Sequence, residues 1–126
     1  KGGLNFEAFS TPEAASGKWL TMEAGDFDHD GKIDVACNNQ SSNTISVLRN
    51  TATAGVINSS SFATHVTFNT SSGPSLGLVT ADFDGDGWLD LACNNQSSNN
   101  ISVFRNNQIS GNITSSSFLS KVDFSD

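Results

Sequence analysis

The sequence predicts an all-β protein built from two copies of one four-stranded unit. Shifting the chain by 56 residues aligns residues 26–50 with residues 82–106, and 19 of these 25 positions are identical. The composition includes 11 Gly and 9 Phe and no long run of strong helix formers, which favours strands joined by frequent turns. A repeat of this length is typical of a supersecondary unit that buries its faces against neighbouring copies.

Each copy predicts four strands in the same order. The predicted strands are 19–27, 33–38, 44–50 and 62–69 in the first copy, and 76–83, 89–94, 100–106 and 118–124 in the second. Four antiparallel strands per repeat are typical of a β-propeller blade. We therefore predict two such blades forming a partial propeller, with a remnant outer strand of a preceding blade at residues 1–11, blade 1 at 12–69 and blade 2 at 70–126.

Two acidic loops, residues 26–34 and 82–90, both read D-x-D-x-D-G-x-x-D. Ca²⁺ takes six to eight oxygen ligands at about 2.3–2.6 Å, and a tight loop around it needs Gly at position 6, which is Gly31 or Gly87 here. Without a cation, carboxylates about 5 Å apart repel by roughly 3 kcal/mol per pair at an effective dielectric of 20. The loops therefore predict two Ca²⁺ per chain.

Other classes of acidic site fit the loops less well. An EF-hand needs a bidentate Glu at position 12, which is Cys37 in one copy and Cys93 in the other, and flanking helices rather than strands. A catalytic general acid needs a raised pKa, whereas carboxylates around a cation are held ionised. We therefore predict that the protein is not an enzyme.

The net charge of −7 is concentrated in the loops, which hold eight of the thirteen acidic residues. Two doubly charged cations would add four charges and bring the net charge from −7 to −3. A nucleic-acid partner requires a Lys/Arg surface, which six basic residues do not provide, so none is expected. No apolar run is long enough for a membrane-spanning helix.

Several single residues leave alternatives open. Cys37 and Cys93 occupy equivalent positions, so their side chains should point the same way, which disfavours a disulfide. Arg49 and Arg105 either bond to a loop carbonyl or carboxylate or bind a ligand, with the structural role favoured. The Trp88 indole either packs against the next blade, which is favoured, or stacks on a sugar. His29 and His65 are not repeat-equivalent and are expected at the surface.

The acidic loops, the repeated C-N-N-Q-S-S-N segment and the repeated I-S-V-x-R-N strand resemble the FG-GAP/VCBS repeat family, which includes the calcium-binding blades of integrin α-subunits. The resemblance implies a secreted or cell-surface protein and two structural Ca²⁺. The implied ligands are Asp26, Asp28, Asp30, Asp34 and the Lys32 backbone oxygen in one loop, and Asp82, Asp84, Asp86, Asp90 and the Trp88 backbone oxygen in the other.

The resemblance leaves two functions open. The chain is either a non-catalytic extracellular scaffold or interaction domain, or a lectin-like module with carbohydrate sites between blades, so its ligand is a protein or a glycan. Two blades are fewer than a closed propeller needs and should leave two apolar sheet faces uncovered. We therefore expect either a homo-oligomer of three or four copies forming a closed ring, or a chain excised from a longer propeller.

Overall fold

A computed structural model describes residues 21–39, 42–72 and 75–125. These residues contain eight strands, and the predicted remnant strand at 1–11 lies outside them. The strands are β1 (Met22–Gly25), β2 (Asp34–Asn39), β3 (Thr44–Leu48), β4 (Val66–Asn69), β5 (Ser75–Ala81), β6 (Asp90–Asn95), β7 (Asn100–Phe104) and β8 (Val122–Ser125).

The strands form two antiparallel four-stranded sheets, and each sheet runs in sequence order. We name β1–β4 sheet 1 and β5–β8 sheet 2. Their registers repeat as well, since Cys37 pairs with Ser46 as Cys93 pairs with Ser102. The architecture confirms the predicted all-β fold of two propeller-blade units, which are not closed into a ring. In the part of the chain described here, no helix is long and apolar enough to cross a membrane.

Several strands are shorter than the sequence pattern predicts. β1 ends at Gly25 because the next residues turn, so that the amides of Asp30 and Gly31 bond the Asp26 carboxylate. Beyond β3 the ladder is interrupted and continues only as an isolated bridge from Asn50 to Phe62, which is repeated by Asn106 and Phe118. The predicted third and fourth strands of each copy were therefore too long where they approach this bridge.

The hydrophobic core lies between the two sheets. Residues paired across an antiparallel ladder share a face, and the facing surfaces of both sheets are buried. Sheet 1 contributes Ala36, Ile45, Val47 and Phe68, and sheet 2 contributes Leu78, Leu91, Cys93 and Phe104. Phe68 meets Phe104 and Phe118 edge to face, at ring-centroid distances of 6.5 and 5.1 Å. Packing of this kind stabilises both sheets at once, because neither sheet can bury that surface alone.

Buried amide groups connect the sheets across the core. The Asn38 Oδ1 accepts hydrogen bonds from the Thr21 backbone N–H and hydroxyl, each 2.9 Å long. Its Nδ2 donates to the Ser75 carbonyl and hydroxyl oxygens at 2.9 and 3.0 Å. Farther along, the Asn106 Nδ2 donates to the Phe27 carbonyl oxygen at 2.9 Å. The Thr21 bonds lie within the first repeat, whereas the bonds from Asn38 to Ser75 and from Asn106 to Phe27 join the two repeats.

The outer faces of the two sheets differ. The face of sheet 2 directed away from sheet 1 is open and carries exposed Val79, Ile101 and Phe124. The corresponding outward side of sheet 1 buries Cys37 and Leu48. The prediction of two uncovered apolar faces is therefore wrong for the central strands of sheet 1 and right for sheet 2. Both cysteines are buried free thiols, as expected.

Candidate metal centres

Each acidic loop connects the first two strands of its sheet and folds around its own carboxylates. In the first loop the Asp26 carboxylate accepts hydrogen bonds from the backbone amides of Asp30 and Gly31, at 3.2 and 3.0 Å. The turn requires left-handed backbone at His29, with φ of 54°, and at Gly31, with φ of 87°. Gly suits the second of these positions because it lacks a Cβ. The second loop repeats this geometry, with φ of 78° at Gly85 and 91° at Gly87.

The last aspartate of each loop connects three segments of its sheet. In the first copy the Asp34 Oδ2 accepts a hydrogen bond from the Phe27 amide at 3.0 Å, and its Oδ1 accepts one from the Asn50 amide at 2.8 Å. In the second copy the Asp90 carboxylate makes the same pair of bonds, with the Phe83 and Asn106 amides. Both carboxylates are buried. The carboxylate therefore joins the loop to the residues that follow the third strand.

Burial perturbs the carboxyl group of Asp34, the last aspartate of the first loop. Desolvation, helped by the negative charges of Asp28 and Asp30, outweighs the backbone amides of Asn50 and Phe27 and raises the pKa of Asp34 to about 6. A bound cation acts in the opposite direction, because it favours the ionised carboxylate. The loop thus gathers negative charge that a divalent cation would stabilise.

Three carboxylates converge in each loop and could hold a metal ion. The oxygens of Asp26, Asp28 and Asp34 lie within 4.8 Å of one another in the first loop, and those of Asp82, Asp84 and Asp86 do so in the second. Oxygen ligands at such spacing fit a hard cation such as Ca²⁺. The groups include six of the eight predicted carboxylate ligands and leave out Asp30 and Asp90. The ligand roles of these eight residues, and of the Lys32 and Trp88 carbonyl oxygens, stay predictions.

An arginine bridges two carboxylates of each loop. Arg49 donates from Nε to Asp28 Oδ2 at 2.5 Å and from Nη2 to Asp30 Oδ2 at 2.7 Å. Arg105 repeats the arrangement, donating from Nε to Asp84 and from Nη2 to Asp86 at 2.9 Å. These bonds agree with the structural role favoured from the sequence. They also raise the pKa of both arginines, mainly through the bonds to Asp28 and Asp84.

The first loop is more deeply buried than the second because loop segments of the second repeat lie against it. The Asp28 carboxylate is fully buried, whereas Asp84 is exposed. The backbone carbonyl oxygen of Asp28 also accepts a hydrogen bond from the Gly111 amide at 2.7 Å. In the second loop, the Asp86 carboxylate accepts a hydrogen bond from Gln108 Nε2 at 2.8 Å. Bonds from the Trp88 amide, then from Gln108 and Arg105, lower the pKa of Asp86.

Two of the residues that differ between the loops contact each other. The His29 and Trp88 rings stack with centroids 3.7 Å apart and planes inclined by 10°. His29 is exposed, as expected. The Trp88 indole therefore packs, as favoured, but against the preceding blade rather than the next one. The sequence held one signal for this contact that was not used. His29 and Trp88 each occupy a loop position where the other copy has a different residue type.

Two four-stranded sheets, each with an acidic loop between its first and second strands, define a protein of β-propeller blades with candidate metal loops. A sequence profile described as FG-GAP-like repeat matches residues 26–93, more than half of the chain, and a second, described as FG-GAP repeat, matches residues 76–114. The chain belongs to the FG-GAP repeat family. No curated protein and no solved structure gave a significant match.

Proposed function

We propose that the chain is a calcium-stabilised β-propeller module that acts as a non-catalytic scaffold or interaction domain of a secreted or cell-surface protein. The observation that carries the proposal is the convergence of three carboxylates within 4.8 Å in both loops, at the same strand connection of each sheet. Family membership supports it, since FG-GAP repeats occur in extracellular and surface proteins and often bind Ca²⁺.

The calcium would act on the connection between the first two strands of each sheet. A bound Ca²⁺ supplies positive charge that offsets repulsion among the clustered carboxylates. The chain's own residues hold the loop in shape, through the Arg49 bridge to Asp28 and Asp30 and through the backbone amides that bond Asp34. The cation and these bonds would together fix the hairpin and the residues that follow the third strand.

The chemistry of the nucleophilic side chains agrees with a non-catalytic role. Cys37 and Cys93 are buried, and burial raises the pKa of Cys37 to about 11 and also raises that of Cys93. A thiol with a raised pKa is a poor nucleophile near neutral pH, because the thiolate is the reactive form. The loop carboxylates are engaged by arginine and backbone amides rather than facing an apolar pocket.

The lectin-like alternative receives less support from the groove on sheet 2. This groove is lined by the amides of Asn94 and Asn100 and by the Phe124 ring. Carbohydrate sites between blades should recur with the repeat, but the equivalent Asn38 and Phe68 in sheet 1 are buried against sheet 2. The groove therefore lies on the face of sheet 2 that corresponds to the face of sheet 1 covered by the second repeat. A glycan array would show no binding if the scaffold function is right.

Isothermal titration calorimetry of the metal-stripped protein with CaCl₂ tests the calcium proposal. We expect two sites, and we expect Asp28→Ala and Asp84→Ala each to abolish one site while leaving the other. Asp123→Ala is the matched control, because Asp123 is an aspartate outside both loops. A titration with no heat of binding, or one in which Asp123→Ala alters the site count as much as Asp28→Ala, would overturn the proposal.

A further inference from the structure

One polar segment of the second repeat contacts both acidic loops. This segment, residues 106–111, lies just beyond β7, and we name it the bridge. Asn106 is buried and donates from Nδ2 to the Phe27 carbonyl oxygen of the first loop at 2.9 Å and to the Leu89 carbonyl oxygen of the second at 3.0 Å. Its backbone amide also donates to the Asp90 carboxylate at 2.8 Å. A single buried residue is therefore held by both loops at once.

Two further residues of the bridge each contact one loop. The Gly111 amide donates to the Asp28 carbonyl oxygen at 2.7 Å, and Gln108 Nε2 donates to the Asp86 carboxylate at 2.8 Å. Gln108 has a φ of 60°, a left-handed conformation that is uncommon for residues other than glycine. The bridge therefore has an unfavourable backbone angle at the residue whose side chain contacts the second loop.

The equivalent segment of the first repeat, residues 50–55, does not join two loops. In the part of the chain that the structure describes, its hydrogen bonds reach no acidic loop other than that of its own repeat. Asn50 Nδ2, for example, donates to the Ile33 carbonyl oxygen at 2.8 Å. The position of Gln108 is occupied by Ala52, which has no side-chain donor. The connection between the loops therefore belongs to the second repeat and not to the loop motif itself.

The two loops also contact each other directly. The His29 ring of the first loop stacks on the Trp88 ring of the second, with centroids 3.7 Å apart. The equivalent positions hold Gly85 and Lys32, so the stack is not a product of the repeat. His29 lies between two predicted ligands, and Trp88 is a predicted ligand through its backbone oxygen. A change in the shape of either loop therefore moves a ring that the other loop contacts.

We propose that the two loops bind their cations with positive cooperativity, coupled through the bridge and the His29–Trp88 stack. This inference rests on the proposed calcium sites and adds that filling either loop raises the affinity of the other. Closing a loop around a cation fixes backbone groups that also bond the bridge, and fixing them costs conformational entropy. Once one loop has fixed the bridge, closure of the other loses less entropy, which gives positive coupling. The factor is the same whichever loop fills first, because coupling of binding is reciprocal.

Electrostatic repulsion between the two cations acts in the opposite direction. Four aspartates and one bridging arginine give each loop a formal charge of −3, which a divalent cation reduces to −1. A filled loop therefore attracts the second cation less than an empty loop does. Salt screens this effect, since the Debye length is about 8 Å at 0.15 M ionic strength, but it leaves the hydrogen bonds and the stack in place. The cooperativity should therefore increase in about 0.5 M KCl.

Isothermal titration calorimetry of the full, metal-stripped chain with CaCl₂ measures the coupling. Asp84→Ala and Asp28→Ala give the association constants of the first and second loops alone. The product of the two constants of the wild type, divided by the product of these single-site constants, is the coupling factor, and it equals one for independent sites. Asp82→Ala and Asp26→Ala form a second pair, which supplies the same constants if a variant of the first pair does not fold.

His29→Gly combined with Gln108→Ala tests the route of the coupling. It removes the stack and one bridge contact, and each replacement is the residue that the other repeat has at that position. The three titrations are repeated in this background, so that direct weakening of one site cancels in the ratio. Asn107→Ala is the matched control, because Asn107 lies in the bridge but its side chain donates to the Ser116 carbonyl oxygen at 2.9 Å rather than to a loop.

We expect a coupling factor of about 10 in the wild type and in Asn107→Ala, and a factor below about 3 in the double variant. A factor of one in a wild type that binds two cations would overturn the cooperativity and leave the calcium proposal intact. A factor below one would reject it in favour of repulsion between the sites. An equal factor in the wild type and the double variant would contradict the assigned route. Absence of any binding heat would overturn the calcium proposal together with this inference.

Discussion

Asn38 is the residue whose loss should most directly weaken the packing between the sheets. Its buried amide makes four hydrogen bonds of 2.9–3.0 Å to Thr21 and Ser75. Asn38→Ala leaves the Ser75 carbonyl and the Thr21 amide without these partners, and an unsatisfied buried polar group costs about 1–3 kcal/mol. We therefore expect a loss of about 2–4 kcal/mol in the free energy of unfolding, because Thr21 is only partly buried.

Asn94→Ala is the matched control, because Asn94 is exposed and the only hydrogen bond of its side chain in the described part of the chain is from the Leu76 amide at 3.2 Å. This variant should lose less than about 1 kcal/mol. Urea unfolding followed by circular dichroism, with calcium fixed and the slope m unchanged, measures both variants. Equal losses in the two variants would refute the reasoning, since the two residues differ chiefly in whether a neighbouring sheet covers them.

Two further predictions concern other parts of the fold. Phe27→Ala should lower the free energy of unfolding by about 3–5 kcal/mol and Phe83→Ala by less than about 1 kcal/mol, because only Phe27 is buried; similar losses in urea unfolding would contradict this. The ion pair with Lys121, with hydrogen bonds from Ser102 and Ser71, lowers the pKa of Asp123 from 3.8 to about 2. Because the folded pKa is depressed, the stabilisation is present above the unfolded value and is lost as pH falls from about 4 through about 2. The stability difference between the wild type and Asp123→Asn should shrink over that range in calcium-free buffer, and a difference independent of pH would count against the ion pair.

The repeat made much of the fold predictable. Alternating apolar residues and identical loops located eight strands and their order, because strand pairing within a blade is local in the sequence. The strand ends were less predictable. β1 ends where the chain turns and the Asp26 carboxylate accepts hydrogen bonds from the Asp30 and Gly31 amides. The placement of Arg49 on Asp28 and Asp30 agreed with one of the two roles that the sequence left open.

Burial could not be predicted from the repeat, because identical residues have different neighbours. Ile45 and Ile101 share a strand position, but only Ile45 is covered by another sheet. For the same reason the sequence did not distinguish the buried Asp28 from the exposed Asp84. The connecting roles of Asn38 and Asn106 were also missed, since the sequence placed both residues only at the ends of predicted strands. Repetition of an Asn within a strand was the signal that could have identified Asn38.

Thermal unfolding with and without a calcium chelator tests the central claim most directly. Calcium that binds only the folded chain stabilises it by about 2.7 kcal/mol per site when its free concentration is about 100 times the dissociation constant. We predict that EGTA lowers Tm markedly and that excess CaCl₂ restores it, whereas MgCl₂ restores less because Mg²⁺ requires a tighter octahedral site. A Tm that is the same in EGTA and in CaCl₂ would contradict the claim that the two loops are calcium sites that hold the blades together.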